Sequence, residues 1–98
     1  MPFNSNPFVF NDATLNTINE VGGVYGLFQQ TAPNKFVIRY IGMSDNLRRR
    51  LREHYNNPPI SEITHFFAEV IPGALARAVR ERFLIAEFDP PGNVQHTR

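Results

Sequence analysis

Two short β-rich runs, each carrying a tyrosine close to glycine, constrain this chain more than any other feature. Val24 to Phe28 and Phe36 to Ile41 are apolar, and the polar stretch between them contains Ala32-Pro33-Asn34-Lys35. Runs of this kind around a turn signal predict a β-hairpin with a longer loop. Tyr25 sits in Gly23-Val24-Tyr25-Gly26 and Tyr40 in Tyr40-Ile41-Gly42, one on each strand. Strand tyrosines are usually half-buried packing residues. Glycines on both strands point instead to close approach by another backbone or a ligand.

Helices surround the hairpin. Asn11 or Asp12 can cap a short amino-terminal helix through about Asn19, with Leu15 and Ile18 on one side, before Gly22-Gly23. Ser44, Asp45 or Asn46 can cap a second helix from Asn46 to about Tyr55, in which Leu47, Leu51 and Tyr55 recur every fourth position. Asn56-Asn57-Pro58-Pro59 ends it. Thr64 to Ile71 reads as a third strand ended by Pro72-Gly73, and Ala74 to about Phe88 as the longest helix before Pro90-Pro91-Gly92. The expected fold class is α+β, a three-stranded antiparallel sheet flanked by helices. With 98 residues the chain is expected to form one domain.

Composition narrows the chemistry. The 42% hydrophobic and 19% charged content is that of an ordinary globular chain able to bury a core. No cysteine is present, so disulfides, thiolate catalysis and thiolate metal sites are excluded and any metal must sit on oxygen or imidazole. MPFNSNPFVFND lacks a basic start followed by an apolar run, and no stretch approaches the roughly 20 apolar residues of a membrane span. These features read as a soluble, intracellular, cytoplasmic chain with no membrane partner. The net charge of +1 says little about nucleic acid, so the placement of charge matters more.

That placement is uneven. Arg48, Arg49, Arg50 and Arg52 crowd the second helix, and a solvated face is the ordinary explanation for such a run. At 100° per residue, however, Arg50 and His54 form an i, i+4 pair beside the Leu47/Leu51 stripe, while Arg48, Arg49 and Arg52 point elsewhere. A guanidinium at that boundary can grip a phosphate bidentately. On the last helix Glu81 projects with Leu84, Ile85 and Phe88. It is either an ion-pair partner of Arg77, its i−4 neighbour, or an oxygen ligand for a hard divalent cation.

Taken in order, these residues resemble the GIY-YIG nuclease superfamily. Gly23-Val24-Tyr25 matches its first motif with Val for Ile, and Tyr40-Ile41-Gly42 matches its second. Gly42-Met43-Ser44-Asp45-Asn46-Leu47 followed by Arg50 is similar to the segment that leads to the family's catalytic arginine, with Met43 a departure from the small or basic residue common there. Glu81 precedes Leu84-Ile85 and then Pro91-Gly92-Asn93, as the family's metal-binding glutamate precedes its terminal asparagine. The resemblance runs from about Val21 to Val94. The first 20 residues match nothing functional and are read as cover for one face of the sheet.

The resemblance implies a DNA endonuclease hydrolysing phosphodiester bonds with one Mg²⁺ or Mn²⁺ held by Glu81. Arg50 would stabilise the phosphoryl transition state, Tyr40 would orient the phosphate, and Tyr25 or His54 would activate water. Gly23, Gly42 and Asn93 would be structural. Ser44, Arg48, Arg49 and Arg52 would contact the DNA backbone, which carries position but little sequence information. The DNA could be single-stranded or branched, with Tyr55 or the phenylalanines Phe3, Phe8 and Phe10 stacking on unpaired bases. A monomer or weak homodimer is expected, in a setting such as DNA repair. The alternative is a catalytically idle nucleic-acid- or protein-binding module that keeps the fold.

Overall fold

The structure, a computed structural model, describes residues 7–58 and 62–93. Phe3, Pro59 and Val94, which figure in the sequence reading, lie outside them. The elements are β1 (Phe8–Val9), α1 (Asp12–Leu15), β2 (Gly23–Ala32), β3 (Lys35–Ser44), α2 (Leu47–Asn56), β4 (His65–Val70) and α3 (Ala74–Phe88). The class is α+β as expected, but the antiparallel sheet has four strands rather than three, in the order β1-β4-β2-β3. The extra strand, β1, pairs Phe8 with Phe66 and Val9 with His65. At two residues it is too short for any alternation to reveal it.

The hairpin also differs from expectation. Ala32 pairs with Lys35, so the connection is the two-residue turn Pro33-Asn34 rather than a longer loop. Pro33 presets a turn φ, and Asn34 takes the left-handed region at φ 63°, which asparagine tolerates better than most residues. The strands therefore extend into Gln29, Gln30 and Lys35, where polar residues hide the pattern. α1 stops at Leu15 instead of running to about Asn19. Its capping residue is Asn11, whose side chain accepts from Thr14 N at 2.9 Å. Beyond it, Arg48 takes the carbonyls of Asn16 and Ile18 at 3.0 and 2.7 Å.

The sheet is a middle layer. One face carries Tyr25, Leu27, Tyr40 and Phe66 against Leu15, Leu47 and Leu51 of α1 and α2. The other carries Val24, Phe28, Ile38, Ile41 and Phe67 against Leu84 of α3, with Ile85 and Phe88 alongside. Ile38 and Tyr40 are two apart yet serve opposite faces. The register explains it: Leu27 pairs with Tyr40 and Phe28 with Ile38, leaving Arg39 as an extra residue on β3. A bulge of this kind re-aims the side chain that follows it. Here it turns Tyr40 toward Tyr25 and α2. No helix among the described residues is long and apolar enough to cross a membrane.

Candidate active site

α2 forms where the sequence predicts. The Asn46 side chain accepts from Arg49 N at 3.0 Å, satisfying one of the first-turn donors that no helix can pair internally. Ser44 supports the entry, its Oγ accepting from Asn46 N at 3.0 Å. Leu47, Leu51 and His54 face the core. The helix thus presses His54 onto the sheet beside the two motif tyrosines, while Arg50, one turn earlier, stays half-buried at the boundary.

Tyr25, Tyr40 and His54 form one cluster. The Tyr25 hydroxyl lies 2.7 Å from His54 Nε2. The two tyrosine rings stack at 6.3 Å between centroids, and the Tyr40 and His54 rings meet edge-on at 5.6 Å. Tyr25 is only 1% exposed. Burial pushes its phenol well above the usual range, Tyr40 adds to this, and a hydrogen bond from Arg50 opposes it. His54 is lowered to about 4, first by burial and then by the Arg50 charge, so its ring is neutral at pH 7. In its Nδ1–H tautomer the neutral imidazole leaves Nε2 free to accept from the Tyr25 hydroxyl.

Arg50 ties the cluster to the surface. Its Nη1 donates to Glu53 Oε1 at 2.9 Å, and Glu53 first, then Tyr25, hold its guanidinium more firmly charged. With side chains 43% and 51% exposed, the pair is one that solvent weakens and an incoming anion can displace. Glu53 was not singled out from the sequence, although its i+3 spacing from Arg50 is the signal that could have found it.

Glycine makes this packing possible at two points. A Cβ on Gly42 would overlap the Tyr25 hydroxyl, and one on Gly23 would overlap the Glu69 carbonyl oxygen. β3 is the edge strand here, and Asn93 completes it. The buried Asn93 side chain accepts from Ile41 N at 2.7 Å and donates to Ile41 O at 2.8 Å, as a neighbouring strand would. Asn93→Ala strands both backbone groups and is expected to lower stability by about 2–4 kcal/mol. Urea unfolding checks this; an unchanged midpoint would mean that water replaces the amide.

Glu81 lies on the other side of β3. It is half-buried in a cleft of about 380 Å³ lined by Tyr40, Met43, Ala78, Arg82, Ile85 and Asn93. Arg77, its alternative partner in the sequence reading, instead donates to the carbonyls of Ile71 and Pro72 at 3.1 and 2.6 Å. Tyr40 belongs both to the cleft and to the Tyr25–His54 cluster, which makes the edge of β3 the meeting point of the two halves. Among the described residues no group of three or more His, Cys, Asp or Glu could hold a metal. A single carboxylate still suits Mg²⁺, which keeps several waters and takes only one or two protein ligands.

The remaining arginines of α2 are occupied. Arg52 reaches Asp12 at 3.2 Å and also hydrogen-bonds the Asn16 side chain, and with Arg48 it fastens the α1 segment to α2. Arg49 pairs with Asp45 at 2.8 Å on the surface. Phe10 packs edge-on against Tyr55, and both Phe8 and Phe10 lie on Phe66. The amino-terminal phenylalanines that are described thus cover the sheet.

The hairpin, the capped α2 and the glutamate-bearing α3 together define a class of protein: the chain has the GIY-YIG superfamily fold. The particular likeness is to the GIY-YIG N-terminal endonuclease domain of UvrC from Thermotoga maritima bound to its catalytic divalent cation, magnesium. The two share 27% identity and a TM-score of 0.67 over 84% of this chain and 93% of that one. An asparagine-to-alanine variant of the same domain, bound to its catalytic cation, gives 26% identity and a TM-score of 0.66 over 84% and 92%. A tyrosine-to-phenylalanine variant gives 26% and 0.67 over the same shares. No family model matches the chain, and neither does the sequence of any curated protein.

Proposed function

We propose that this chain is a metal-dependent endonuclease that hydrolyses phosphodiester bonds in DNA with low sequence specificity, using Mg²⁺ or Mn²⁺ at Glu81. The observation that carries the reading is the meeting at Tyr40 of a cleft holding Glu81 and a cluster joining Tyr25, His54 and Arg50. The magnesium bound by the Thermotoga maritima domain supports it. A divalent cation held by Glu81 supplies charge neutralisation at the phosphoryl group.

The other steps fall to side chains of this chain. Arg50 leaves Glu53 for a non-bridging phosphate oxygen, and Tyr40 orients the same phosphate from the edge of β3. Water attacks phosphorus as its proton passes to the Tyr25 oxygen, and the Tyr25 proton passes to His54 Nε2. The new P–O bond forms as the bond to the leaving oxygen breaks, and solvent protonates that oxygen. This relay reconciles a phenol raised by burial with base chemistry: Tyr25 never stands as a free phenolate. Phosphate on Arg50 also offsets the charge that lowers His54, which makes the imidazole a better acceptor when substrate is bound.

DNA is the partner, held through its backbone. The exposed Arg49–Asp45 pair is weak, so Arg49 remains available to phosphate, whereas Arg48 and Arg52 serve α1 first. The whole chain acts as one such domain, as a monomer or weak homodimer in an intracellular, cytoplasmic setting. The burial of Tyr25 favours one competing reading, an idle module that binds DNA without cutting it.

Incubating the protein with single-stranded, duplex and branched DNA, in Mn²⁺ or Mg²⁺ or in chelator, tests the proposal. Cleavage that requires metal and is lost in Tyr25→Phe is expected; binding without cleavage in every metal would leave the idle module. The relay needs neutral His54, held near 4 in the free protein. kcat/KM, which reports the free protein, is therefore expected to be level between about pH 6 and 8 and to fall only below about pH 5. A free phenolate would instead give about a tenfold rise per pH unit across that range.

A further inference from the structure

The wall of the cleft includes a positively charged residue, Arg82, that belongs neither to the tyrosine motifs nor to the α2 arginine run. Ala78, Glu81, Arg82 and Ile85 of α3 all line it, the i, i+3, i+4, i+7 set that makes one face of a helix. Arg82 belongs to none of the motifs and stands in the sequence among the charges Arg80 and Glu87. In the fold its side chain instead borders the same concavity as Glu81, across from Tyr40 and Met43 on β3.

Its state differs from that of the other arginines on α2 and α3. Arg49, Arg50, Arg52 and Arg80 are paired with carboxylates, and Arg48 and Arg77 donate to backbone carbonyls. Arg82 is exposed and makes no hydrogen bond or ion pair among the described residues. A guanidinium with all its donors open, at the rim of a concave site, is suited to a planar or tetrahedral oxyanion. Arg50 then stands beside the tyrosine cluster and Arg82 on the cleft wall, with Tyr40 common to both.

We propose that Arg82 binds a non-scissile phosphate of the DNA strand whose scissile phosphate lies at Tyr40 and Glu81, fixing the direction in which that strand crosses the edge of β3. The inference rests on the nuclease reading and adds a substrate contact to it. Arg82 is a binding residue, not a group that meets the reacting atoms, so its loss acts on affinity and KM while kcat stays. A phosphate contact has one further mark: removing it lowers the salt dependence of binding by about one counterion.

The test compares Arg82→Gln with Arg80→Gln, which removes the same charge two residues away but outside the cleft, where Arg80 is held by Glu69 at 3.0 Å. Thermal melts confirm that both variants fold. Binding of a labelled single-stranded oligodeoxynucleotide is measured in chelator over a salt series, and steady-state cleavage is measured in Mn²⁺. Arg82→Gln is expected to weaken binding and raise KM about 3- to 10-fold, lower the salt slope by about one, and leave kcat within about twofold. Arg80→Gln is expected to show little of this. Equal effects in both variants, an unchanged slope at Arg82, or loss of kcat with KM intact would each overturn the proposal. Because binding is read without metal, a wild type that binds but never cuts sinks the nuclease reading while the salt slopes still judge Arg82. A wild type that binds no DNA sinks both.

Discussion

Arg50→Ala is expected to reduce cleavage by about 10²-fold or more and DNA affinity by much less, because its guanidinium on the scissile phosphate is worth most against the charge that develops in the transition state. In the free protein it is balanced between Glu53 at 2.9 Å and the Tyr25 hydroxyl, half in solvent. The guanidinium is not deeply buried, so the fold should survive: a surface pair of this kind contributes about 0–1 kcal/mol. Arg50→Lys keeps the charge but loses the fork, and should recover only a small part of the rate. Substitution of Arg49, whose guanidinium is turned to Asp45, should cost much less. Single-turnover cleavage of one DNA substrate by the three variants decides the matter. Equal loss at Arg49 and Arg50 would mean a diffuse basic surface in place of a transition-state contact.

Loss of Arg50 also removes the charge that lowers His54 and the hydrogen bond that restrains the Tyr25 phenol. The two effects oppose each other in the relay: His54 becomes the better acceptor, while Tyr25 becomes the poorer acid. The residual rate of Arg50→Ala should therefore lose activity at a higher pH than wild type as the medium is acidified, since its imidazole protonates sooner.

Different parts of this molecule were legible in the sequence for different physical reasons. The Leu47/Leu51 repeat marks α2 because a helix that buries one stripe must repeat its apolar residues, and Asn46 marks its start because the first-turn donors need an acceptor. The two-residue β1 has no period, and the outer ends of β2 and β3 are polar, so the fourth strand and the tight turn leave no apolar pattern. The hydrogen bond from Tyr25 to His54 joins residues 29 apart, a distance set only when α2 folds back on the sheet. Arg48 is expected from its helix position to face DNA, yet it seeks backbone carbonyls at Asn16 and Ile18, which have no side-chain signature. Least visible is the bulge at Arg39: in a regular strand Tyr40, two residues on from Ile38, would share its face, away from Tyr25. The motif supplies the tyrosine, but the register aims it.

Glu81 carries the other large effect. Glu81→Ala and Glu81→Gln are both expected to lose metal-dependent cleavage, by about 10²-fold or more if the carboxylate is the cation's main protein ligand. The two variants separate charge from shape. Glutamine fills the cleft wall as glutamate does but is a far weaker ligand for a hard cation, so it should be as inactive as alanine. Stability should move the other way. Glu81 is half-buried on a helix face that also carries Leu84 and Ile85. Removing a partly desolvated carboxylate from that setting relieves a cost that functional sites commonly carry. A melting temperature equal to or above wild type is expected for Glu81→Gln, and the stabilisation of wild type by added Mn²⁺, about RT ln(1 + [M]/Kd), should vanish in both variants. Thermal melts with and without metal, run beside cleavage assays, measure both effects. A melting temperature that falls sharply in both variants, with the metal-dependent shift retained, would make Glu81 a structural residue and move the cation elsewhere.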